Sequence, residues 1–192
     1  MLGAILAGGA ASRMGGGKAA RMLVGRPLIS YSLEALAAAC ERVAVVCKPD
    51  GELPEIGTAE LWDDEPAEPL HPAAGIAHAL DRAGAHVLVC AADMPFVTAD
   101  DCKRLIASAA AHPGVLAVIA SAEDDSQPTL GVYAPAAAEA LRAAAIRGDP
   151  LRRVGEELGA VYVDLPPGRL RSVNTEADLA AAEAELLSRG PG

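Results

Sequence analysis

The chain has 192 residues, the length of one compact domain. Its hydrophobic content of 52% excludes wholesale disorder, and its formal charge of −10 argues against a surface built to hold nucleic acid or anionic lipid. Only Tyr31, Trp62, Phe96, Tyr133 and Tyr162 are aromatic, so Ala, Val, Leu and Ile must build the core, and a base-stacking platform for single strands has little to use.

In chain order, Leu2–Leu6 is a short apolar run ended by Gly8-Gly9 and reads as a buried strand. Pro27 opens a helical pattern through Leu36, Arg42–Cys47 reads as a second strand, and a short apolar piece at Leu61-Trp62 as a third. Ala73–Ala83 is helical, and Ala85–Ala91 is a continuous apolar run, the mark of a strand covered on both faces. Thr98 followed by Asp101 predicts a capped helix running to about Ala111, and Val115–Ala120 another strand. Leu130–Tyr133 reads as a short strand, Pro135–Arg147 and Leu151–Leu158 as helices, and Val161–Val163 as strand. Thr175 with Asp178 starts a last helix. Strands alternating with helices predict a single α/β domain with a mostly parallel sheet, over residues 1–188, with a flexible tail over 189–192.

The charge is unevenly spread. Residues 1–48 hold six basic and two acidic groups, a balance of +4 that leaves −14 for the remainder. A positive N-terminal segment on an acidic chain suggests a local anion site. None of the four cysteines, Cys40, Cys47, Cys90 and Cys102, forms a CxxC pair or has a His at a zinc-ligand spacing, which predicts reduced structural thiols. The opening Met1–Ala11 lacks the basic start of a signal peptide, and no run approaches the roughly 20 apolar residues of a membrane span. The expectation is a soluble, cytoplasmic protein.

In a parallel sheet, ligands bind where the carboxyl ends of the strands open into a crevice. After the first strand come five glycines within ten positions (8, 9, 15, 16, 17), interleaved with Arg13 and closed by Lys18. Glycine lets backbone N–H groups approach anionic oxygens, and the two cations add charge, so the segment reads as a phosphate loop. It is not a Walker A loop, since Ser12 and Ala19 stand where Gly and Ser or Thr are needed. A dinucleotide fingerprint on Gly15, Gly17 and Ala20 begins too far past the strand.

The doubly covered strand ends in Asp93-Met94-Pro95, placing at the crevice a carboxylate that suits Mg²⁺ bound to phosphates; a turn residue leading into the Thr98 helix is the alternative. Asp64, after the third strand, is a candidate acceptor for the N1–H and N2 amine of guanine; a solvated acidic turn is the alternative. His71-Pro72-Ala73-Ala74-Gly75 leads into a helix whose N-terminus can approach base or ribose, while His71, His78, His86 and His112 read as surface or packing residues. With no nucleophile motif present, phosphoryl or nucleotidyl transfer by positioning and charge neutralisation fits best.

Leu6-Ala7-Gly8-Gly9, Ser12-Arg13-Met14-Gly15, Lys18, Gly25-Arg26-Pro27-Leu28, Ala74-Gly75, Asp93-Met94-Pro95, Gln127-Pro128-Thr129 and Val173-Asn174-Thr175 together resemble the molybdenum cofactor guanylyltransferases, in order and over nearly the whole chain. The resemblance implies a Rossmann-like three-layer nucleotidyltransferase fold. It also implies an enzyme that joins the GMP part of GTP to the terminal phosphate of molybdopterin with Mg²⁺, releasing pyrophosphate. By the same resemblance Leu6, Ala7 and Gly8 contact the nucleotide, Lys18 the phosphates, Asp64 the guanine side, and Asp93 the metal and GTP; from the loop reading, Gly9 joins the nucleotide-binding residues and Arg13 acts with Lys18 to offset charge on the leaving pyrophosphate. Gln127 and Asn174 lie toward the pterin.

The pair Gly8-Gly9 after Leu6-Ala7 is similar to the guanine-using branch, where the cytosine-using relatives tend to carry Ala-Gly. The chain departs from the family pattern at Gly17, where Asp is frequent, at Arg21-Met22, and at Val46-Cys47, where a polar residue often helps bind nucleotide. Rival readings are a cytidylyltransferase on molybdopterin or another phosphorylated acceptor, a non-catalytic nucleotide-binding paralogue, and a nicotinamide-dependent oxidoreductase. A monomer is expected.

Overall fold

The computed structural model describes residues 1–8, 18–49, 51, 53–123 and 125–189, with backbone alone at 18 and 189. β1 (Leu2–Leu6) is followed by β2 (Met22–Leu23), β3 (Arg26–Pro27), α1 (Ile29–Ala37), β4 (Arg42–Val46) and β5 (Glu60–Trp62). Next come α2 (Pro72–Ala83), β6 (Val87–Ala91), α3 (Ala99–Ala111), β7 (Ala117–Ala122) and β8 (Asp125–Tyr133). α4 (Ala138–Arg147), α5 (Leu151–Glu157), β9 (Val161–Asp164) and α6 (Glu176–Arg189) complete the chain.

Seven strands form one sheet in the order β5-β4-β1-β6-β8-β7-β9, and only β8 runs against the others. Side chains alternate across each strand, and the core divides accordingly. Ala4, Val87, Val89 and Ile119 face a layer built from α2, α4 and α5, while Ile5, Leu88, Cys90 and Val118 face α1 and α3. Both faces are covered, which is why the central strands are apolar throughout instead of alternating with polar residues. From β1 the chain steps out to β4 and β5, then returns to β6 on the other side of β1. That reversal opens a crevice at the carboxyl end of β1.

Most predicted elements are present, and α3 begins with the full capping box: Asp101 N–H on Thr98 Oγ1, and Asp101 Oδ2 on the Thr98 N–H. Three expectations change. Pro27 does not open α1; it ends β3 of a small hairpin, pairing with Met22, and the helix starts at Ile29. The hairpin turns through Val24 and Gly25, both at positive φ (48° and 74°). A β-branched residue there is strained by about 1–2 kcal/mol, offset by its packing against the cluster formed by Leu23, Leu28, Phe96, Val173 and Ala182.

The short strand expected at Leu130–Tyr133 is nine residues long and forms a hairpin with β7. Its register shifts at Ile119/Ala120, opposite Pro128, a residue without the N–H the ladder needs, so the strand bulges there. The helix α6 runs through Arg189, one residue into the segment expected to be a tail; 190–192 lie outside the described residues.

Gly131 pairs with Ile119 inside this ladder, and a Cβ on it would stand 2.5 Å from the Val118 carbonyl oxygen. Since the obstacle is backbone, Gly131→Ala should cost about 1–3 kcal/mol, a fall in melting temperature of roughly 2–12 °C for a domain of this size. An unchanged melting temperature in a calorimetric scan would mean that β7 yields at Val118.

Candidate active site

The sheet's own hydrogen bonds bring the strand ends into one row. Ala7 N–H reaches Val46 O (2.9 Å), Cys47 N–H reaches Trp62 O (3.0 Å), and Ala92 N–H reaches Leu6 O (3.1 Å). The residues that follow, Gly8 after β1, Lys48 after β4, Asp64 after β5 and Asp93 after β6, therefore share one edge of the sheet. Of the glycine segment, Gly9, Arg13 and Gly15–Gly17 lie outside the described residues. Its flanks are fixed: Leu6–Gly8 continues β1, and Lys18 opens a short 3₁₀ turn whose Ala19 is buried against the α1–α3 face.

Asp93 is partly buried and takes part in contacts of its own. Its position is set from two sides. Ser32 of α1, fully buried, donates through its hydroxyl to Ala91 O (3.0 Å), anchoring the turn that carries it. Val173 N–H donates to Asp93 O (2.8 Å), drawing the 166–175 segment against the same turn. Arg169 adds a hydrogen bond to Phe96 O (3.0 Å), and the Arg171 guanidinium lies 4.1 Å from the Phe96 ring centre. The Gln127 amide donates to Leu170 O (3.5 Å), so Gln127 from the β8 bulge, Asn174 and Asp93 are gathered about one segment.

Asp64 is oriented elsewhere. Its carboxylate meets Arg82, and His78 Nε2 at 3.2 Å, both on α2, and its side chain is 58% exposed. Partial desolvation works against its ionisation, but a hydrogen bond from its own backbone and the Arg82 and His78 side chains outweigh this and hold the carboxyl below its ordinary value.

The neighbouring Glu65 turns inward instead. It is 4% exposed and pairs with Lys48 at 2.7 Å. The Lys48 ammonium also donates to the carbonyls of Pro66 and Pro69. A Cβ on Gly8 would stand 2.9 Å from Glu65 Oε2, and one on Gly75 would stand 3.5 Å from Glu65 Oε1. A side chain at position 8 would therefore have to displace the packed Glu65 carboxylate. α2 begins at this point, and its cap is His71, whose Nδ1 accepts the Ala73 N–H at 3.2 Å.

Val46-Cys47 carries no polar group where the family pattern has one; Lys48, one position further on, and Glu65 supply the charge. The fall of an acidic residue just after Asp63-Asp64 gave no hint that it is buried.

Among the described residues no three His, Cys, Asp or Glu side chains cluster as metal ligands. A single hard-oxygen donor such as Asp93 suits a cation that brings most of its ligands with it, as Mg²⁺ does on a triphosphate. The thiols offer no alternative chemistry. Burial pushes Cys40 and Cys47 up to about 11, Cys90 to about 12 and Cys102 upward, with Asp63 and Glu65 adding to the effect at Cys47.

Removing one member of the buried pair leaves the other charge uncompensated, so Glu65→Ala should cost about 3–5 kcal/mol in urea unfolding; a loss below about 1 kcal/mol would mean that the Lys48 ammonium escapes to water. The thiols ionise at a usual 9.0 once unfolded, so their stabilising contribution is complete below that pH and drains as pH rises through about 11. At pH 8 iodoacetamide should modify the native chain slowly and all four cysteines rapidly in urea; fast native labelling of Cys47 would contradict this.

The MobA-like NTP transferase domain family matches residues 3–161 of this chain. The molybdenum cofactor guanylyltransferase of Rhodobacter capsulatus is 36% identical over 98% of both chains. That of Bradyrhizobium sp. (strain ORS 278) is 33% identical over 94% of this chain and 91% of its own. The crystal structure of molybdopterin-guanine dinucleotide biosynthesis protein A from Archaeoglobus fulgidus superposes with a TM-score of 0.78 at 30% identity, covering 98% of this chain and 100% of that one. A 2-C-methyl-D-erythritol 4-phosphate cytidylyltransferase from Thermus thermophilus shares the fold, with a TM-score of 0.70 at 21% identity over 97% of this chain and 98% of its own. With the Leu6–Gly8 strand end, Asp93 and the 166–175 segment in this arrangement, the chain belongs to the molybdenum cofactor guanylyltransferases of the MobA-like NTP transferase family.

Proposed function

We propose that the protein transfers GMP from GTP to the terminal phosphate of molybdopterin and releases pyrophosphate, as a Mg²⁺-dependent, cytoplasmic monomer. The observation that carries the reading is the meeting of two sides at Asp93. The Ala92–Leu6 hydrogen bond ties it to the Leu6-Ala7-Gly8 strand end, and the Val173 bond ties it to the segment bearing Asn174.

In this reading the backbone of Leu6, Ala7, Gly8 and Gly9 receives the nucleotide, and Asp64 lies on the guanine side. Gln127 and Asn174 lie toward the pterin. The acceptor phosphate is already ionised and needs no strong base; one of its oxygens bonds to the α-phosphorus of GTP as the bond to the bridging oxygen breaks. Charge then gathers on the departing pyrophosphate, where Lys18 and Arg13 offset it. Asp93 would hold Mg²⁺, which supplies neutralisation of the phosphate oxygens when bound.

Calorimetry with GTP and CTP, with and without Mg²⁺, tests the reading. GTP should bind more tightly than CTP, only with Mg²⁺, and weakly to Asp93→Ala; preference for CTP would move the protein to the cytidylyl reaction. With molybdopterin supplied, Lys18→Ala and Asp93→Ala should each release pyrophosphate at least ~100-fold more slowly while keeping the wild-type circular dichroism. Near-normal turnover would remove that residue from the mechanism.

A further inference from the structure

Lys48 and Glu65 take no part in the reaction as set out above, yet they form the most deeply buried ion pair among the described residues, with side chains 12% and 5% exposed. The Lys48 ammonium has three N–H donors and three acceptors around it: Glu65 Oε1, Pro66 O and Pro69 O. It is therefore already engaged, and acts as a tether instead of a cation waiting for phosphate. What it tethers is the 65–71 loop, stiffened by Pro66 and Pro69, which leads directly into the His71-capped first turn of α2.

The carboxylate of the pair fills the space beside both walls of the crevice: a Cβ on Gly8, just past β1, would stand 2.9 Å from it and one on Gly75 of α2 3.5 Å. Charge gives a second reason for the lysine. An unpaired carboxylate against Gly8 would repel a polyanionic ligand, and Lys48 neutralises it within hydrogen-bond distance.

We infer that Lys48 and Glu65 are positioning residues for the nucleotide, a clasp that holds the start of α2 against Gly8 and on which GTP affinity depends. The inference rests on Gly8 belonging to the nucleotide site. Its effect belongs to binding, because both side chains are engaged with each other and with the 65–71 loop, so KM should move and kcat should not.

The test uses Lys48→Met/Glu65→Leu, which replaces the buried pair by apolar side chains and so leaves no uncompensated charge. Its urea midpoint should lie near that of the wild type, while the Kd for GTP with Mg²⁺ rises ~10–100-fold, the scale of a misplaced binding element. The KM for GTP should rise in step and kcat at saturation change less than about 3-fold. Lys48→Arg, which keeps charge and donors, should recover most of the affinity.

Wild-type affinity in the folded double variant overturns the clasp alone. A wild-type chain that binds no GTP overturns the nucleotide-site reading and the clasp with it. Should the double variant not fold, Lys48→Gln/Glu65→Gln, which leaves no buried charge but replaces the charge-assisted tether by neutral amides, carries the same measurement: weaker GTP binding is expected, and unchanged binding overturns the proposal.

Discussion

β1 hydrogen-bonds to β4 on one side and β6 on the other, and every part of the candidate site is positioned through that double pairing. Because all three strands run the same way, their carboxyl ends finish level, and the residues just beyond them arrive together without any long loop having to be ordered. Removing the central position of β1 would scatter Gly8, Lys48 and Asp93, however well each was held locally. The apolar character of the strand serves the site as much as the core: Ala4 and Ile5 are fully buried on opposite faces, so the register that aligns the row is fixed by packing on both sides.

Upon that scaffold the site is completed by contacts distant in sequence. Ser32 from α1, Val173 from the segment before α6 and Arg169 all converge on the turn after β6. The Lys48–Glu65 pair closes the other side, where β4, β5 and α2 meet. The buried pair is not there for stability as such, since charges taken out of water recover little more than their desolvation cost. What it gives is one geometry for a proline-rich connection that would otherwise have several.

How much of this was legible in the sequence follows from the range of the forces involved. β6 and α3 could be read directly, because an uninterrupted apolar run and a Thr98–Asp101 cap are local signals. The β7–β8 hairpin could not: Asp125, Ser126, Gln127 and Pro128 carry no strand pattern, and the ladder accommodates them by bulging. Two-residue strands leave no periodicity, and Val24 is a residue that turn chemistry would never suggest at a positive φ. Asp93 and the Leu6–Gly8 end could be read as strand-end positions because the apolar runs before them are local signals. Glu65 was not legible, because Asp63-Asp64-Glu65 reads as a solvated turn until Lys48 is brought across from a different strand. The same blindness applies to Asp64, whose orientation toward His78 and Arg82 depends on where α2 packs.

The chain's single tryptophan sits two residues before Asp64, buried at the end of β5. Arg82 lies 5.1 Å from its ring centre and holds Asp64 with the same guanidinium. A displacement of that carboxylate that carries Arg82 with it moves a cation over the indole face and changes the field the excited ring experiences. With no second indole to dilute the signal, the intrinsic emission of the protein is an optical gauge of one strand end, and no label has to be introduced to read it.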